Sequence, residues 1–333
     1  MSRRGWIVAG MLAGAALAVL PNLRRQVQAL QQADPEVRGP LTWFPLPVPL
    51  MAKLTKSSLV SVPRAVAAGI ANETRSVPGD GGRAVRVEVY RRQGRTGPLP
   101  ALLWIHGGGY VMGGVTNDDD WCSRIAAELE LVVVSTDYRK APEHPYPAAL
   151  DDCFASLTWL IEHAEELGVD PTRVLIGGNS AGGGLAAALA QRAHDEGVPV
   201  IFQLLVYPML DDRTVPRSEA LKKWALVWNP PANRYGWTSY LGAEPGVGEP
   251  PKYAVPARRD DLSGLPPAWI GVGSVDLFHD EDVEYARRLV EAGVECTLYV
   301  APGMPHGTDI GNPAPLAEAF NRASLDALAA ALW

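Results

Sequence analysis

Apolar residues fall into two kinds of run from about residue 83 to the end of the chain. Short runs either alternate with polar residues, as at Val85, Val87 and Val89, or are continuously apolar, as at 101–105. Such runs are typical of half-buried and fully buried strands. Longer runs carry apolar residues at helical spacing. In chain order the pattern predicts further strands at 131–135, 174–177, 200–206, 268–272 and 296–300, and helices at 118–130, 149–167, 181–192, 280–292 and 316–332.

Strands that alternate with helices predict β–α–β units and a parallel sheet covered by helices on both faces. Two regions interrupt this pattern. Residues 26–75 contain several prolines and little clear strand, and residues 211–263 carry three tryptophans among prolines and charges. We interpret both regions as additions around one core, formed by residues 76–210 and 264–333.

The N-terminus differs from the rest of the chain. Two arginines precede an apolar run over residues 5–21, and two more arginines follow it. Three interpretations of residues 1–25 stay open: a signal peptide, a short membrane anchor, or a helix packed on the protein. The run favours export or membrane association through residues 5–21 over a cytoplasmic location.

Composition excludes several classes of protein. The formal net charge is -7 and the three cysteines are scattered without a Cys-x-x-Cys spacing. A nucleic-acid partner is not expected, because phosphate binding needs clustered lysine and arginine. Neither a zinc site nor a disulfide framework is indicated, and we expect no metal and no cofactor.

A candidate nucleophile lies where a predicted strand meets a predicted helix. Residues 178–182 read Gly-Asn-Ser-Ala-Gly, with Ser180 at the centre. A sharp strand-to-helix turn there would hold the Ser180 hydroxyl exposed, and the flanking glycines would remove side chains that collide at such a turn. The alternative is a packing turn in which Ser180 only caps the helix. The context favours a nucleophile.

A glycine-rich segment follows the strand at 101–105. Residues 106–109 read His-Gly-Gly-Gly, so that backbone N–H groups can point into a site without side-chain obstruction. Such donors stabilise the oxyanion that forms when an acyl group is attacked. We expect the N–H groups of Gly107, Gly108 and Ala181 to form this oxyanion hole. His106 is a weaker candidate for a base, and we expect it to hold the glycine loop by hydrogen bonds.

A serine nucleophile needs an imidazole that accepts its proton, and a carboxylate that orients the imidazole. His306 lies in the loop Gly-Met-Pro-His-Gly after the last predicted strand. Asp276 lies just past the end of the strand at 268–272, between nucleophile and base in chain order. Asp280 is the alternative acid, although its position is typical of the start of a helix.

Taken together, these motifs resemble the hormone-sensitive lipase family of α/β-hydrolases. The resemblance runs from about residue 83 to 332 and includes Asp-Tyr-Arg-Lys-Ala-Pro-Glu at 137–143 and Pro-Ala-Ala-Leu-Asp-Asp at 147–152. It implies an α/β-hydrolase fold with a mostly parallel eight-stranded sheet, flanking helices and a helical cap, here residues 26–75 and 211–263. It also implies a serine carboxylesterase that hydrolyses short- to medium-chain acyl esters through an acyl-enzyme, without a cofactor.

Three positions depart from the family pattern. Lys140 stands where an apolar residue is usual, Thr308 where an aromatic residue often follows the base, and Asn179 where an acidic residue often precedes the nucleophile. None of these removes a catalytic group. They leave the shape of the acyl pocket, and therefore the choice of substrate, open.

Tyr110, Trp224 and Trp228 are the candidates for substrate binding. Plain core packing is the alternative for these aromatic residues. We expect a small acyl ester as the partner and consider a homodimer. Two further functions stay open: an amidase or deacetylase that uses the same triad, and a non-enzymatic ligand receptor, which the intact triad argues against.

Overall fold

The computed structural model describes residues 24–43, 48–49, 52, 65–95 and 97–332. The apolar run at 5–21, with its predicted signal, anchor or membrane contact, lies outside the described residues. Within the described part of the chain, no helix is long and apolar enough to cross a membrane.

The described residues contain one sheet of eight strands in the order β1-β2-β4-β3-β5-β6-β7-β8. β1 and β2 pair antiparallel, as do β2 and β4, and every other pair is parallel. This confirms the predicted eight-stranded, mostly parallel sheet. The strands are β1 Ile70–Pro78, β2 Ala84–Arg92, β3 Leu99–Ile105, β4 Val132–Thr136, β5 Val169–Asn179, β6 Phe202–Val206, β7 Ala268–Gly273 and β8 Cys296–Ala301.

Helices connect the strands and cover the sheet. Residues 24–32 are helical and are called α1. The others are α2 Pro40–Trp43, α3 Asp119–Leu129, α4 Ala148–Glu162, α5 Ala164–Leu167, α6 Ala181–Glu196, α7 Thr214–Ala220, α8 Pro230–Leu241, α9 His279–Glu291 and α10 Pro315–Leu332. Single 3₁₀ turns occur at Pro35–Val37, Asp80–Gly82, Val115–Asp118 and Pro256–Arg258.

Successive residues of the central strands point to opposite faces of the sheet, so each strand feeds two cores. Leu103 of β3 faces one core, which is closed by α4, α6 and α9. Leu102 faces the other, which is closed by α3 and α10. These two layers of helices leave the carboxyl ends of the parallel strands free to carry a site.

One predicted boundary is wrong. Residues 70–75 were expected in a cap segment, but they form the first part of β1. The reason is that β1 is an edge strand, and between Ile70 and Val77 its side chains are half-buried or exposed. A strand that buries so little shows no alternation of apolar and polar residues.

The N-terminal segment packs on the region around residues 224–227. Ala29, Leu30 and Ala33 form a small apolar cluster with Leu226. The Trp224 indole N–H donates to Gln26 Oε1 at 2.6 Å. Residues 24–43, which we call the N-terminal strap, therefore pack on the loop before α8.

Candidate active site

Ser180 lies at the turn between β5 and α6. Its backbone has φ 54° and ψ −121°, a conformation that costs energy for a residue with a side chain. A methyl group at Gly182 would lie 2.0 Å from the Ile105 carbonyl oxygen, and one at Gly178 would lie 2.5 Å from it. The glycines on either side of the serine therefore allow α6 to start directly against β3.

Three side chains meet at this turn through hydrogen bonds. His306 Nε2 lies 2.8 Å from Ser180 Oγ, and His306 Nδ1 lies 2.8 Å from Asp276 Oδ2. A carboxylate only accepts, so Nδ1–H donates to Asp276 and the Nε2 lone pair faces the Ser180 hydroxyl. The exposed fractions are 7% for Ser180, 5% for His306 and 1% for Asp276.

The loops that carry Asp276 and His306 are tied to each other. Asp276 Oδ1 accepts the Phe278 N–H at 2.9 Å, which fixes the carboxylate. The Gly303 N–H donates to Ser274 Oγ at 2.8 Å. A methyl group at Gly273 would lie 1.8 Å from the Met304 carbonyl oxygen, so only glycine lets the histidine loop approach the end of β7. The alternative acid, Asp280, instead pairs with Lys223 at 3.0 Å.

The glycine loop lies against the serine turn. A methyl group at Gly107 would contact the Asn179 carbonyl oxygen at 3.0 Å and Ser180 Cβ at 3.3 Å. Gly108 has φ +120°, and a methyl group there would lie 2.2 Å from the Met112 carbonyl oxygen. Gly107 and the start of α6 at Ala181 thus border the same space beside the Ser180 hydroxyl.

His106 supports this loop from below. Its ring is buried and stacks on Tyr138 with 4.3 Å between ring centroids. Burial, together with the nearby Lys140 ammonium, lowers the pKa of His106 to about 4. The ring is therefore neutral at pH 7, and its Nδ1–H donates to the Gly107 carbonyl oxygen at 2.7 Å. Lys140 itself pairs with Asp137 at 2.7 Å.

Aromatic rings surround His306. The Tyr207 and Phe278 rings meet it edge to face, with centroids 4.7 Å and 5.1 Å away, and Trp228 lies at 6.4 Å. The sequence analysis missed Tyr207 and Phe278. Their signal was their position, because each lies just beyond a strand's carboxyl end, where side chains of a parallel sheet gather.

The three predicted substrate-binding residues lie in three different surroundings in the structure. Trp228 lies on the glycine loop, since a methyl group at Gly109 would lie 2.1 Å from its ring. Trp224 contacts the N-terminal strap. The Tyr110 ring is buried, stacks on Tyr240 and donates its hydroxyl to the Met209 carbonyl oxygen at 3.1 Å. These contacts argue against substrate contact by Tyr110 and give it a supporting role beneath the loop.

A buried carboxylic acid lies close to His306. Asp309 follows His306 by three residues and is almost fully buried. Burial raises the pKa of Asp309 to about 6, while the neighbouring Tyr207 hydroxyl and His306 oppose the rise. Nothing in the sequence pattern singled out this residue. Among the described residues, no group of three or more histidine, cysteine, aspartate or glutamate side chains is arranged to hold a metal ion.

Comparison with known proteins places this geometry in a family. A family model described as alpha/beta hydrolase fold matches residues 102–309. The chain belongs to the α/β-hydrolase family. Its esterase relatives put it in the hormone-sensitive lipase branch, as the sequence motifs predicted.

Curated α/β-hydrolase relatives include two mycobacterial proteins. Esterase LipI of Mycobacterium tuberculosis is 40% identical over 210 residues, which are 62% of this chain and 65% of that protein. Carboxylesterase NlhH of Mycobacterium tuberculosis is 38% identical over 242 residues, which are 71% of this chain and 74% of that protein. The match therefore spans about two thirds to three quarters of these relatives.

Solved α/β-hydrolase structures agree over a longer stretch. A structure titled Bacterial Heroin Esterase superposes with a TM-score of 0.83 at 36% identity, covering 91% of this chain and 99% of that chain. The esterase LipW from Mycobacterium marinum superposes with a TM-score of 0.79 at 36% identity, covering 92% and 98%. The resemblance thus extends beyond the core to most of the described chain.

Proposed function

We propose that this protein is a serine carboxylesterase that hydrolyses short- to medium-chain acyl esters through an acyl-enzyme on Ser180. One observation carries the proposal: Asp276, His306 and Ser180 form a continuous series of hydrogen bonds, with 2.8 Å at each step from the carboxylate to the hydroxyl. The relatives named esterase and carboxylesterase support ester hydrolysis as the reaction.

In the first half of the reaction, Ser180 Oγ attacks the ester carbonyl carbon while its proton moves to His306 Nε2. Asp276 keeps the Nδ1–H tautomer in place and stabilises the imidazolium that forms. The tetrahedral oxyanion accepts hydrogen bonds from the N–H groups of Gly107, Gly108 and Ala181. A donor of this kind is typically worth about 3 kcal/mol.

The intermediate then collapses and the bond to the alcohol oxygen breaks. His306 gives its proton to that oxygen, the alcohol leaves, and the acyl group stays on Ser180 as an ester. Water attacks this ester while His306 takes one proton from it, and the acid leaves as Ser180 regains its proton. No cofactor takes part in these steps, and the strained serine backbone directs the hydroxyl toward His306.

Replacement of the nucleophile tests the proposal. We expect Ser180→Ala to lower kcat for p-nitrophenyl butyrate by roughly 10⁴–10⁶-fold, because the attacking oxygen is lost while binding is kept. The far-UV circular dichroism spectrum should stay native. Turnover near the wild-type rate would overturn the assignment of Ser180.

A matched serine replacement serves as the control. Ser263 lies exposed in a loop at the end of the second cap segment, outside the proposed triad. Ser263→Ala should keep full activity and should be labelled by a fluorophosphonate probe, as the wild type is, whereas Ser180→Ala should not be labelled. Equal labelling of both variants would place the reactive serine elsewhere.

The length of the acyl chain is the next property to measure. The proposed cap, formed by residues 26–69 and 211–263, brings Trp228 over the glycine loop and close to His306. A series of p-nitrophenyl esters from acetate to dodecanoate should show its highest kcat/KM at short to medium chains. A maximum at dodecanoate would contradict the proposed substrate class.

Two features outside the site complete the proposal. Membrane association through residues 5–21 is tested by fractionating the full chain against one lacking residues 1–25, which should move to the soluble fraction.

A homodimer is supported by the outer edge of β8, which has no strand partner in the described sheet and exposes Leu298. Light scattering of the purified protein tests it.

A further inference from the structure

His306 lies in the loop between β8 and α10, and this loop is fixed on both sides of the histidine. Before it, the Gly303 N–H donates to Ser274 Oγ at 2.8 Å. After it, the Asp309 side chain turns inward and is buried. A buried carboxyl group needs a hydrogen-bond donor, because its oxygen atoms are cut off from water. The donor to Asp309 therefore also fixes the second half of the histidine loop.

Tyr207 supplies this donor from the end of β6. Its side chain is buried, and its hydroxyl group donates to the Asp309 carboxyl group. Burial raises the pKa of the Tyr207 hydroxyl well above its ordinary value, so the proton stays on the oxygen atom. The Tyr207 ring also meets the His306 ring, with 4.7 Å between their centroids. One side chain thus contacts both the imidazole and the carboxyl group three residues after it.

The backbone of Tyr207 is held in an unfavourable conformation. Its φ is +36°, in the left-handed region that a residue with a side chain rarely adopts. Its N–H donates to the Gly271 carbonyl oxygen at 2.6 Å, and its ring stacks on Phe320 with 6.0 Å between centroids. Strain of this kind persists where surrounding contacts enforce it, and it is common beside functional groups. The position of this ring is therefore enforced from three sides.

The charges around Asp309 single out His306 as its cation. A positive charge on His306 favours the ionised Asp309 carboxyl group, and the Asp276 carboxylate opposes it. Asp309 also lines a cavity of about 380 Å³ between α3 and α10, where Arg124 is the one lysine or arginine among the described lining residues. Arg124 is held by Glu318 at 2.9 Å and by Glu128 at 2.7 Å. The other charged residues that line this cavity are the carboxylates Asp118, Asp120 and Glu318.

We propose that Tyr207 and Asp309 are positioning residues for His306: the pair holds the histidine loop, and the Asp309 carboxylate stabilises the imidazolium that forms when Ser180 attacks. Asp276 bonds directly to the imidazole, whereas Asp309 acts through its charge and through the loop. This inference rests on the proposed esterase function, because the imidazolium forms only in that reaction.

The Asp309→Asn variant tests the charge. The pKa of Asp309 is about 6, so its carboxyl group is ionised at pH 7.5, and the amide removes that charge while it keeps the shape and an acceptor for Tyr207. Loss of a nearby negative charge disfavours the imidazolium. We expect the midpoint of the acid limb of kcat/KM for p-nitrophenyl butyrate to fall by about 0.5–1 pH unit, and kcat at pH 7.5 to fall roughly 3- to 10-fold. KM should change less than about 2-fold, since neither residue is placed against the substrate.

Asp326→Asn is the matched control for this variant. Asp326 is exposed on α10 and does not line the cavity, and its replacement changes the net charge equally. Its acid limb and kcat should match the wild type. An unshifted acid limb in Asp309→Asn, even with a lower kcat, would overturn the inference, because a loosened loop alone lowers kcat at every pH. An equal shift in Asp326→Asn would also overturn it.

The Tyr207→Phe variant tests the hydrogen bond. It keeps the ring against His306 and Phe320 but removes the donor, so Asp309 should hold its proton to higher pH and lose its effect on the imidazolium. We expect an acid-limb shift in the same direction as in Asp309→Asn, and no further shift when the two changes are combined. Tyr299→Phe is the control, since Tyr299 also packs on Phe320 but lies on β8. Additive shifts in the double variant would contradict a shared role.

A measurement without turnover separates this inference from the esterase function. NMR titration of the His306 ring in Ser180→Ala, with the signal assigned by its loss in His306→Gln, reports imidazole protonation directly. We expect the added Asp309→Asn change to lower the midpoint of this titration by about 0.5–1 pH unit. An unchanged midpoint would refute the role of Asp309. A shifted midpoint in a protein whose wild type hydrolyses no ester would refute the esterase function alone.

Discussion

At the scale of single residues, the site keeps groups that do not favour folding. Ser180 holds a strained backbone, and burial of the Asp309 carboxyl group close to His306 raises its pKa. Active sites commonly retain such features because function requires them, at a cost to stability. Asp309 is the clearer case, because the rise in its pKa measures how strongly burial disfavours its charged form.

The stability cost of Asp309 depends on pH. Its pKa is about 6 in the folded protein and near 3.8 in an unfolded chain. Below pH 3.8 both states are protonated and there is no penalty. As the pH rises from 3.8 to 6, the folded state holds its proton longer and loses stability, by roughly 3 kcal/mol in total.

Asp309→Asn should therefore raise the free energy of unfolding by up to roughly 3 kcal/mol at pH 8, because the amide carries no charge to bury. At pH 3.5 the variant and the wild type should be equally stable. Urea unfolding at the two pH values measures this, with Asp326→Asn as the control. A gain of the same size at both pH values would show that the stabilisation has another cause than ionisation.

At the scale of elements, the position of Ser180 depends on how closely α6 approaches β3. The first turn of α6 lies directly on the Ile105 and His106 carbonyl groups, and the absence of a side chain at Gly182 permits this contact. Packed interiors tolerate extra atoms poorly, because rigid backbone groups cannot move aside.

Gly182→Ala should destabilise the fold by about 3 kcal/mol and lower activity on p-nitrophenyl butyrate more than 100-fold. The added methyl group would meet two carbonyl oxygens at 2.0 Å and 2.5 Å and displace the serine turn. Thermal unfolding and kcat/KM measure the two effects.

Gly114→Ala is the matched control for this prediction. Gly114 has an extended backbone, and a methyl group there would meet no atom within 4 Å. Its stability should stay within about 0.5 kcal/mol of the wild type. A Gly182→Ala protein as stable and active as Gly114→Ala would contradict the role given to the close contact.

At the scale of the whole molecule, the N-terminal strap joins parts of the site that are distant in sequence. It packs on Leu226 and hydrogen-bonds Trp224. It also reaches the histidine loop, where the Asp34 N–H donates to the Gly303 carbonyl oxygen at 2.8 Å. The segment therefore links the proposed cap to the loop that carries His306.

A chain shortened to residues 44–333 should keep the core fold but lose at least 10-fold in kcat/KM on p-nitrophenyl butyrate. Removal of the strap uncovers Leu226 and frees Gly303, three residues before His306. Far-UV circular dichroism checks the fold, and steady-state kinetics check the loss. The control is a chain lacking only residues 1–23, which should stay fully active. Full activity in both shortened chains would mean that the strap does not support the site.

The sequence by itself determined the chemistry and the sheet. Hydrophobic periodicity is a local property, so the strands and helices of the core were predicted to within a few residues at most of their ends. Ser180, Asp276 and His306 were found from short motifs that follow the carboxyl ends of predicted strands. The polar edge strand β1 was not predicted, because it buries too few side chains to show an alternation of apolar and polar residues. The single helix predicted at 149–167 is two helices in the structure, α4 and α5, which are separated by His163.

Tertiary structure alone decided what surrounds the proposed triad. The burial of Tyr110, the contact of Tyr207 with His306 and the cavity at Asp309 each join residues from separate elements. No local sequence pattern encodes these contacts, because they depend on how the helices and loops pack over the sheet. The reaction can therefore be predicted from short sequence motifs, whereas the selection of a substrate depends on contacts across the whole fold.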